Sequence, residues 1–353
     1  MTKDEYLKKQ QAWLTAGAID RRRFVMGALA AGIALPAALT MADRALAQAP
    51  KKGGRFRLGM AHGSTTDSLD PATYENGFTT GLGFHFGNTL TEIDNNGKLA
   101  ADLAESYEVS DDAKTWVFKL RQGVTFHNGK TMTADDVVAS FNHHRGEATK
   151  SAAKGLLAGV KDIRADGGNV VFELTDANAD FAYIASDYHL LIMPSQDGKI
   201  DALSGIGTGG YIIETFEPGV RLIAKRNPNY YKEGRAHFDE SEMLAITDVT
   251  ARQNALMNGD VDAISRVDPK TVALLGRNPN ISIMERTGTL HYNFPMRLDV
   301  APFDNYDLRM AIKLAVKRQE LVDKILLGHG AVGNDHPISP ATSFYASDIP
   351  QRE

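Results

Sequence analysis

The chain has 353 residues, a formal net charge of −5 and no cysteine. That length can bury a sizeable core, and without cysteine the fold must rest on ordinary packing rather than a disulfide framework. The acidic balance argues against nucleic acid or an anionic membrane surface as a partner.

The first legible motif is Asp20-Arg21-Arg22-Arg23-Phe24-Val25-Met26. Arg21 and Arg22 followed by Phe24 mark a twin-arginine export signal, and residues 24 to 42 are uncharged. Ala45 and Ala47 put small side chains at the two positions a signal peptidase reads, so cleavage is expected before Gln48. Residues 1–47 are therefore expected to be a twin-arginine-type signal peptide and the product periplasmic, with Asp20 standing where Ser or Thr is usual. The competing reading is a membrane-anchored structural protein, because the uncharged run just reaches the roughly 20 residues of a spanning helix. Its Ala and Gly content, Pro36 and the cleavage motif favour a signal. The leader holds seven basic and four acidic groups, which leaves the remainder at −8 against −5 for the whole.

Arg55 to Met60 alternates as a short strand, and Leu69-Asp70-Pro71 closes the loop that follows. A helix is expected over Gly77 to Leu90 despite four glycines. Trp116, Phe118 and Leu120 alternate with Thr115, Val117 and Lys119, the pattern of a half-buried strand, after a turn at Ser110-Asp111-Asp112-Ala113. Thr133 and Asp136 suit the start of a helix running to about His144, with Val137, Val138 and Phe141 on one face. Gly205-Ile206-Gly207-Thr208-Gly209-Gly210 imitates a dinucleotide fingerprint, yet two strands flanking a Pro218-Gly219 turn follow it instead of a helix. Asp248 caps a further helix that should turn Ala251, Ala255 and Leu256 inward and end at Gly259.

Several of these stretches resemble one family. The segments LAES, EVSDD, T-x-x-FKLR-x-GV-x-FH, NG and TADDV between Leu103 and Val137, then GTG, EPG and RNPNYY between Gly207 and Tyr231, DVTARQNALMNGDVDAI from Asp248, and PFD from Pro302 are similar to the family 5 extracellular solute-binding proteins of ABC importers. The resemblance implies an α/β, periplasmic binding protein type II-like fold of several lobes, with mixed sheets and flanking helices. It places domain I at 48–93 and 200–290, a small domain II at 94–199, and the start of an incomplete domain III at 291–353. Relatives are considerably longer, so the third lobe is expected to be truncated and the helices between Asp307 and Leu327 to expose apolar surface. Lys317 stands where the family has a capping Asp.

The implied function is periplasmic capture of an oligopeptide or dipeptide by lobe closure, as a monomer, with delivery to membrane permease subunits and no cofactor. A nickel chelate, an oligosaccharide or an opine could occupy the same scaffold. Ligand contacts in the family come from loops facing the cleft, and two segments match those loops in position: Tyr74, Glu75, Asn76 and Phe78, and Thr289, His291 and Tyr292. Glu75 would meet an amine or other cation, with Tyr74, Phe78 and Tyr292 as walls.

A secreted hydrolase is disfavoured, because no nucleophile elbow, HExxH helix or P-loop is found and no catalytic residue is assigned. The paired carboxylates Asp111-Asp112 and Asp135-Asp136 fall at turns or helix starts, where structure accounts for them. His143 and His144 are adjacent, a poor spacing for shared metal ligation and suited to a solvated helix end; the other histidines are scattered, so no metal site is expected.

Overall fold

The structure, a computed structural model, describes residues 2–15, 18–47, 51–95, 97–286, 288–336, 338–340, 342, 344–350 and 352, with backbone alone at 43–47. The chain divides into two compact units, residues 1–92 with 100–265, and residues 93–99 with 266–353.

In the first unit the N-terminal segment forms three helices, α1 (Lys3–Thr15), α2 (Arg21–Ala30) and α3 (Leu35–Ala47). They share an apolar cluster of their own, built on Leu7, Leu14, Phe24, Val25, Ala28, Ala38 and Ala42. Asp20 starts α2, its carboxylate accepting the backbone N–H of Arg23 at 2.7 Å. The uncharged run is divided between α2 and α3, and among the described residues no helix is long and apolar enough to cross a membrane. Ala45 and Ala47 lie on α3, whereas Gln48 lies outside the described residues.

The chain then runs through β1 (Arg55–Met60), α4 (Gly77–Phe86), β2 (Thr91–Ile93), β3 (Leu99–Ala101), β4 (Ala104–Val109), β5 (Thr115–Leu120), α5 (Ala134–His143), β6 (Val160–Asp166) and β7 (Asn169–Leu174). After these come α6 (Phe181–Ile184), β8 (Ser195–Gln196), β9 (Lys199–Ile200), β10 (Tyr211–Glu217), β11 (Arg221–Arg226), β12 (Glu240–Ala245), α7 (Val249–Asn258) and β13 (Ala263–Ile264). Two sheets organise this unit. One is mixed, in the order β10-β11-β12-β1-β13, with β1 parallel to both β12 and β13. The other is antiparallel, β4-β5-β7-β6.

The antiparallel sheet buries the face read from alternation: Trp116, Phe118 and Leu120 point inward. Phe118 meets Phe172 edge-on at 5.5 Å between ring centroids, and Phe141 of α5 meets Phe172 at 4.8 Å. Thr133 and Asp136 form the capping box expected at the start of α5. The Asp136 carboxylate accepts both the backbone N–H of Thr133 at 2.8 Å and its hydroxyl at 3.0 Å, so the acid is the hub.

Against the mixed sheet packs α4, with Phe78, Leu82 and Phe86 joining Met60, Leu222 and Met243 in one cluster. The glycines that weaken α4 in isolation admit its neighbours. A Cβ on Gly83 would stand 2.9 Å from the Tyr74 ring, so the aromatic side chain fits only beside glycine. The helix ends at Phe86, short of Leu90.

On α7 the Asp248 cap and the Gly259 terminus are as read, but the inward residue is Arg252 rather than Ala251, which is exposed. Arg252 donates to the carbonyls of Ile246 at 2.6 Å and Ser265 at 3.0 Å, a buried cation that fastens chain ends the periodicity cannot see.

The second unit holds α8 (Pro269–Leu275), α9 (Tyr306–Ala315) and α10 (Arg318–Lys324). No residue of α9 is buried, and Leu314, Ile325 and Leu327 are exposed. Lys317 sits at the N-cap of α10 with no side-chain cap bond.

Candidate functional site

The segment from Leu69 to Phe78 is the better-defined of the two stretches singled out in the sequence. Asn76 caps α4, its side-chain oxygen accepting the N–H groups of Phe78 at 2.8 Å and Thr79 at 3.2 Å, while its amide donates to Asp67 at 2.8 Å. Tyr74 and Phe78 are fully buried, the Tyr74 hydroxyl donating to the Leu69 carbonyl at 3.0 Å. Two of the three rings expected to wall a ligand are therefore core, and Asn76 is committed to the helix start. Spacing carries the missed signal: Phe78, Leu82 and Phe86 recur every four residues and so share one helix face. Glu75 is exposed. Thr289, His291 and Tyr292 belong to the second unit and are exposed, with His291 Nδ1 bonded to the Thr289 carbonyl at 3.0 Å.

Two histidines hold this segment in place. His143 Nε2 donates to Asp70 at 2.8 Å. Burial would raise the Asp70 carboxyl, but His143 and the Ala72 N–H bring it below the ordinary carboxylate range. His189 faces acceptors with both ring nitrogens, Asp187 at 2.6 Å and the Tyr74 carbonyl at 2.7 Å. Burial opposes its charge, yet these two bonds raise its pKa, as expected of an imidazole that must donate twice. His144 is the opposite case and corrects the solvated-end reading. It is completely buried, bonded through Nδ1 to Ser151 at 2.7 Å, with Nε2 unpartnered. Burial, then the adjacent His143, pushes its pKa down to about 4.

The glycine-rich run at 205–210 packs as closely as a backbone can. Gly209 donates to the Phe86 carbonyl at 2.8 Å and its own carbonyl accepts from His127 Nε2 at 3.0 Å and from the Asn227 amide at 3.0 Å. Its role is to seat the end of α4, and strand β10 follows it.

A buried polar network, absent from the sequence reading, lies beside this contact. Lys232 Nζ is 2.7 Å from both Asp102 and Glu92, Tyr231 donates its hydroxyl to Asp102, and Asn88 donates to Asp102 at 3.2 Å. Burial disfavours the Lys232 ammonium, but Asp102 outweighs it and raises its pKa. The sequence signal was the Tyr-Tyr-Lys run at 230–232, whose acid partner sits more than 120 residues away. Among the described residues no group of three or more His, Asp or Glu side chains is placed to hold a metal ion.

Residues 98–353 match the sequence model of the bacterial extracellular solute-binding proteins, family 5. The chain belongs to this family. Family 5 proteins are solute binders that work outside the cytoplasm, and the mixed α/β fold with several sheets is of their type. The chain is 26% identical over 302 residues to the di/tripeptide-binding protein 1 of Pseudomonas aeruginosa, covering 76% of this chain and 55% of that protein. It is 27% identical over 275 residues to the glutathione-binding protein GsiB of Escherichia coli, covering 76% and 54%. In fold it is similar to the periplasmic binding protein DppA of Helicobacter pylori, solved with the peptide STSA, with a TM-score of 0.73 at 22% identity over 87% of this chain and 64% of that one. The chain spans about half the length of each of these curated relatives.

Proposed function

We propose that this family 5 chain serves as the solute-binding component of an ABC importer, capturing short peptides in the periplasm without catalysis and delivering them to membrane permease subunits. The observation that carries the reading is that two relatives, each matched over 76% of this chain, are named for di- and tripeptide or glutathione binding. Ligand stabilises a closed arrangement of lobes, because a bound solute favours whichever state contacts it more fully. Export follows the twin-arginine route with removal of residues 1–47, and the mature protein acts as a monomer. The sheet built from residues 55–60 and 211–264 supports a discontinuous domain I, and the sheet of residues 104–174 a domain II.

Of the expected contacts, Glu75, Thr289, His291 and Tyr292 remain candidates, since their side chains are exposed. Glu75 suits a peptide amine and Tyr292 an apolar wall, while polar backbone groups take the peptide main chain without reading its side chains. Deleting the gene in its own bacterium tests the reading. Growth on a tripeptide as sole nitrogen source should fail and return with the intact gene; undiminished peptide growth would overturn it.

A further inference from the structure

The leader carries a contact that neither export nor solute capture calls for. Leu7 and Leu14, seven residues apart and so on one side of α1, are buried in the same cluster as Phe24, Val25 and Ala28 of α2. Phe24, the aromatic of the export motif, has no exposed surface, whereas Arg21 and Arg22 are exposed in the first turn of the same helix. The helices approach closely at Gly27, where an added Cβ would stand 3.1 Å from the Tyr6 hydroxyl and 3.3 Å from Gln10. Lys3 Nζ reaches the Gly32 carbonyl at 3.5 Å, tying the start of α1 to the turn before α3. The outer side of α1 is polar, with Lys3, Lys8 and Lys9 exposed. Helix α1 therefore packs Leu7 and Leu14 against the apolar start of the export core and turns its lysines outward.

We infer that α1 is an intramolecular mask on the export signal, covering Phe24 and the apolar residues after it while leaving the arginine pair readable, so that it must be displaced before the leader is taken up. The inference rests on the export reading and adds a regulatory step to it. Arg21 and Arg22 stay exposed in the masked state. Engagement of Phe24 requires the cluster that α1 and α3 share with α2 to open, which makes uptake depend on an opening equilibrium to which Leu7 and Leu14 contribute.

The absence of cysteine gives a clean test on the full-length precursor. A single thiol introduced as Ala28→Cys, at a position with no exposed surface, should react slowly with a maleimide. With Leu7→Asp and Leu14→Asp added, its labelling should accelerate by about tenfold or more, since burial of even one leucine is worth more than that ratio. Without the thiol, the same double variant should be processed faster than wild type in a pulse-chase experiment. Trp13→Asp, which adds charge on the exposed side of α1, should change neither rate, and Leu7→Met with Leu14→Met should restore masking. Equal labelling with and without the aspartates would show that no mask exists. Faster labelling with unchanged or slower processing would show that the contact does not gate export. If no form is exported at all, the export reading fails and the mask with it; labelling still reports separately whether the contact exists.

Discussion

Asp136 ties the start of α5 to Ser195, and replacing it separates two explanations of what that anchor is worth. Its carboxylate is fully buried and accepts the Thr133 N–H at 2.8 Å, the Thr133 hydroxyl at 3.0 Å, the Ser195 N–H at 2.7 Å and the Ser195 hydroxyl at 2.8 Å, besides its pairing with Lys130. Burial would raise its pKa, but Lys130, Ser195 and Thr133 together lower it. Asp136→Ala leaves two backbone N–H groups without an acceptor, each costing about 1–3 kcal/mol, and about 4 kcal/mol in all is expected. Lys130 keeps 38% of its side-chain surface in water, so Lys130→Ala should cost less than about 1 kcal/mol beyond what screening already removes.

Urea denaturation followed by tryptophan fluorescence reads this directly. The chain has two tryptophans, and Trp13→Phe leaves Trp116, buried in the four-stranded sheet, as the sole reporter. Asp136→Ala should lower the midpoint far more than Lys130→Ala at unchanged slope. Equal losses would mean that the ion pair, and not the acid's bonds to backbone and hydroxyl donors, carries the stability.

Two further outcomes are expected. His144 is held neutral with its pKa at about 4, whereas an unfolded chain takes up that proton near 6.5. Its contribution is therefore whole above about pH 6.5 and lost as pH falls toward 4, by about 3 kcal/mol in total. The stability gap between wild type and His144→Gln, measured by urea denaturation, should narrow across that range; a gap that stays constant would contradict the assignment. Gly209→Ala places a Cβ 2.4 Å from the Phe86 carbonyl carbon and 2.5 Å from the His85 carbonyl oxygen, which are backbone atoms that cannot give way. It should cost about 3 kcal/mol or more, while Gly155→Ala, with nothing within 4 Å, should stay within about 0.5 kcal/mol in the same melting experiment.

What could be read from the chain was whatever local pattern decides. The alternation at 115–120 placed Trp116 and Phe118 inside because a strand with one wet face has only that choice, and the Pro218-Gly219 turn followed from its own backbone preferences. Tyr74 escaped the same treatment because its burial is set by Leu191 and Gly83, contacts that no neighbouring residue announces. Arg252 likewise looks like a solvated helical residue until the carbonyls of Ile246 and Ser265 converge on it. His143 and His144 are adjacent in sequence and opposite in environment, one paired with Asp70 and the other enclosed. The glycines of α4 read as a weakness by helix propensity, and are the condition for its packing. In the candidate site, position in the chain did not indicate which side chains of the turn face outward, because that depends on a helix start and a core assembled from distant segments.

The central claim is short-peptide binding, and thermal unfolding of the native gene product with and without peptide tests it most directly. Dipeptides, tripeptides and glutathione should raise the midpoint in a concentration-dependent way, with a stabilisation of about 2.7 kcal/mol at one hundred times the dissociation constant. No shift with any peptide up to about 1 mM, alongside a saturable shift with a nickel-histidine complex or an opine, would contradict it.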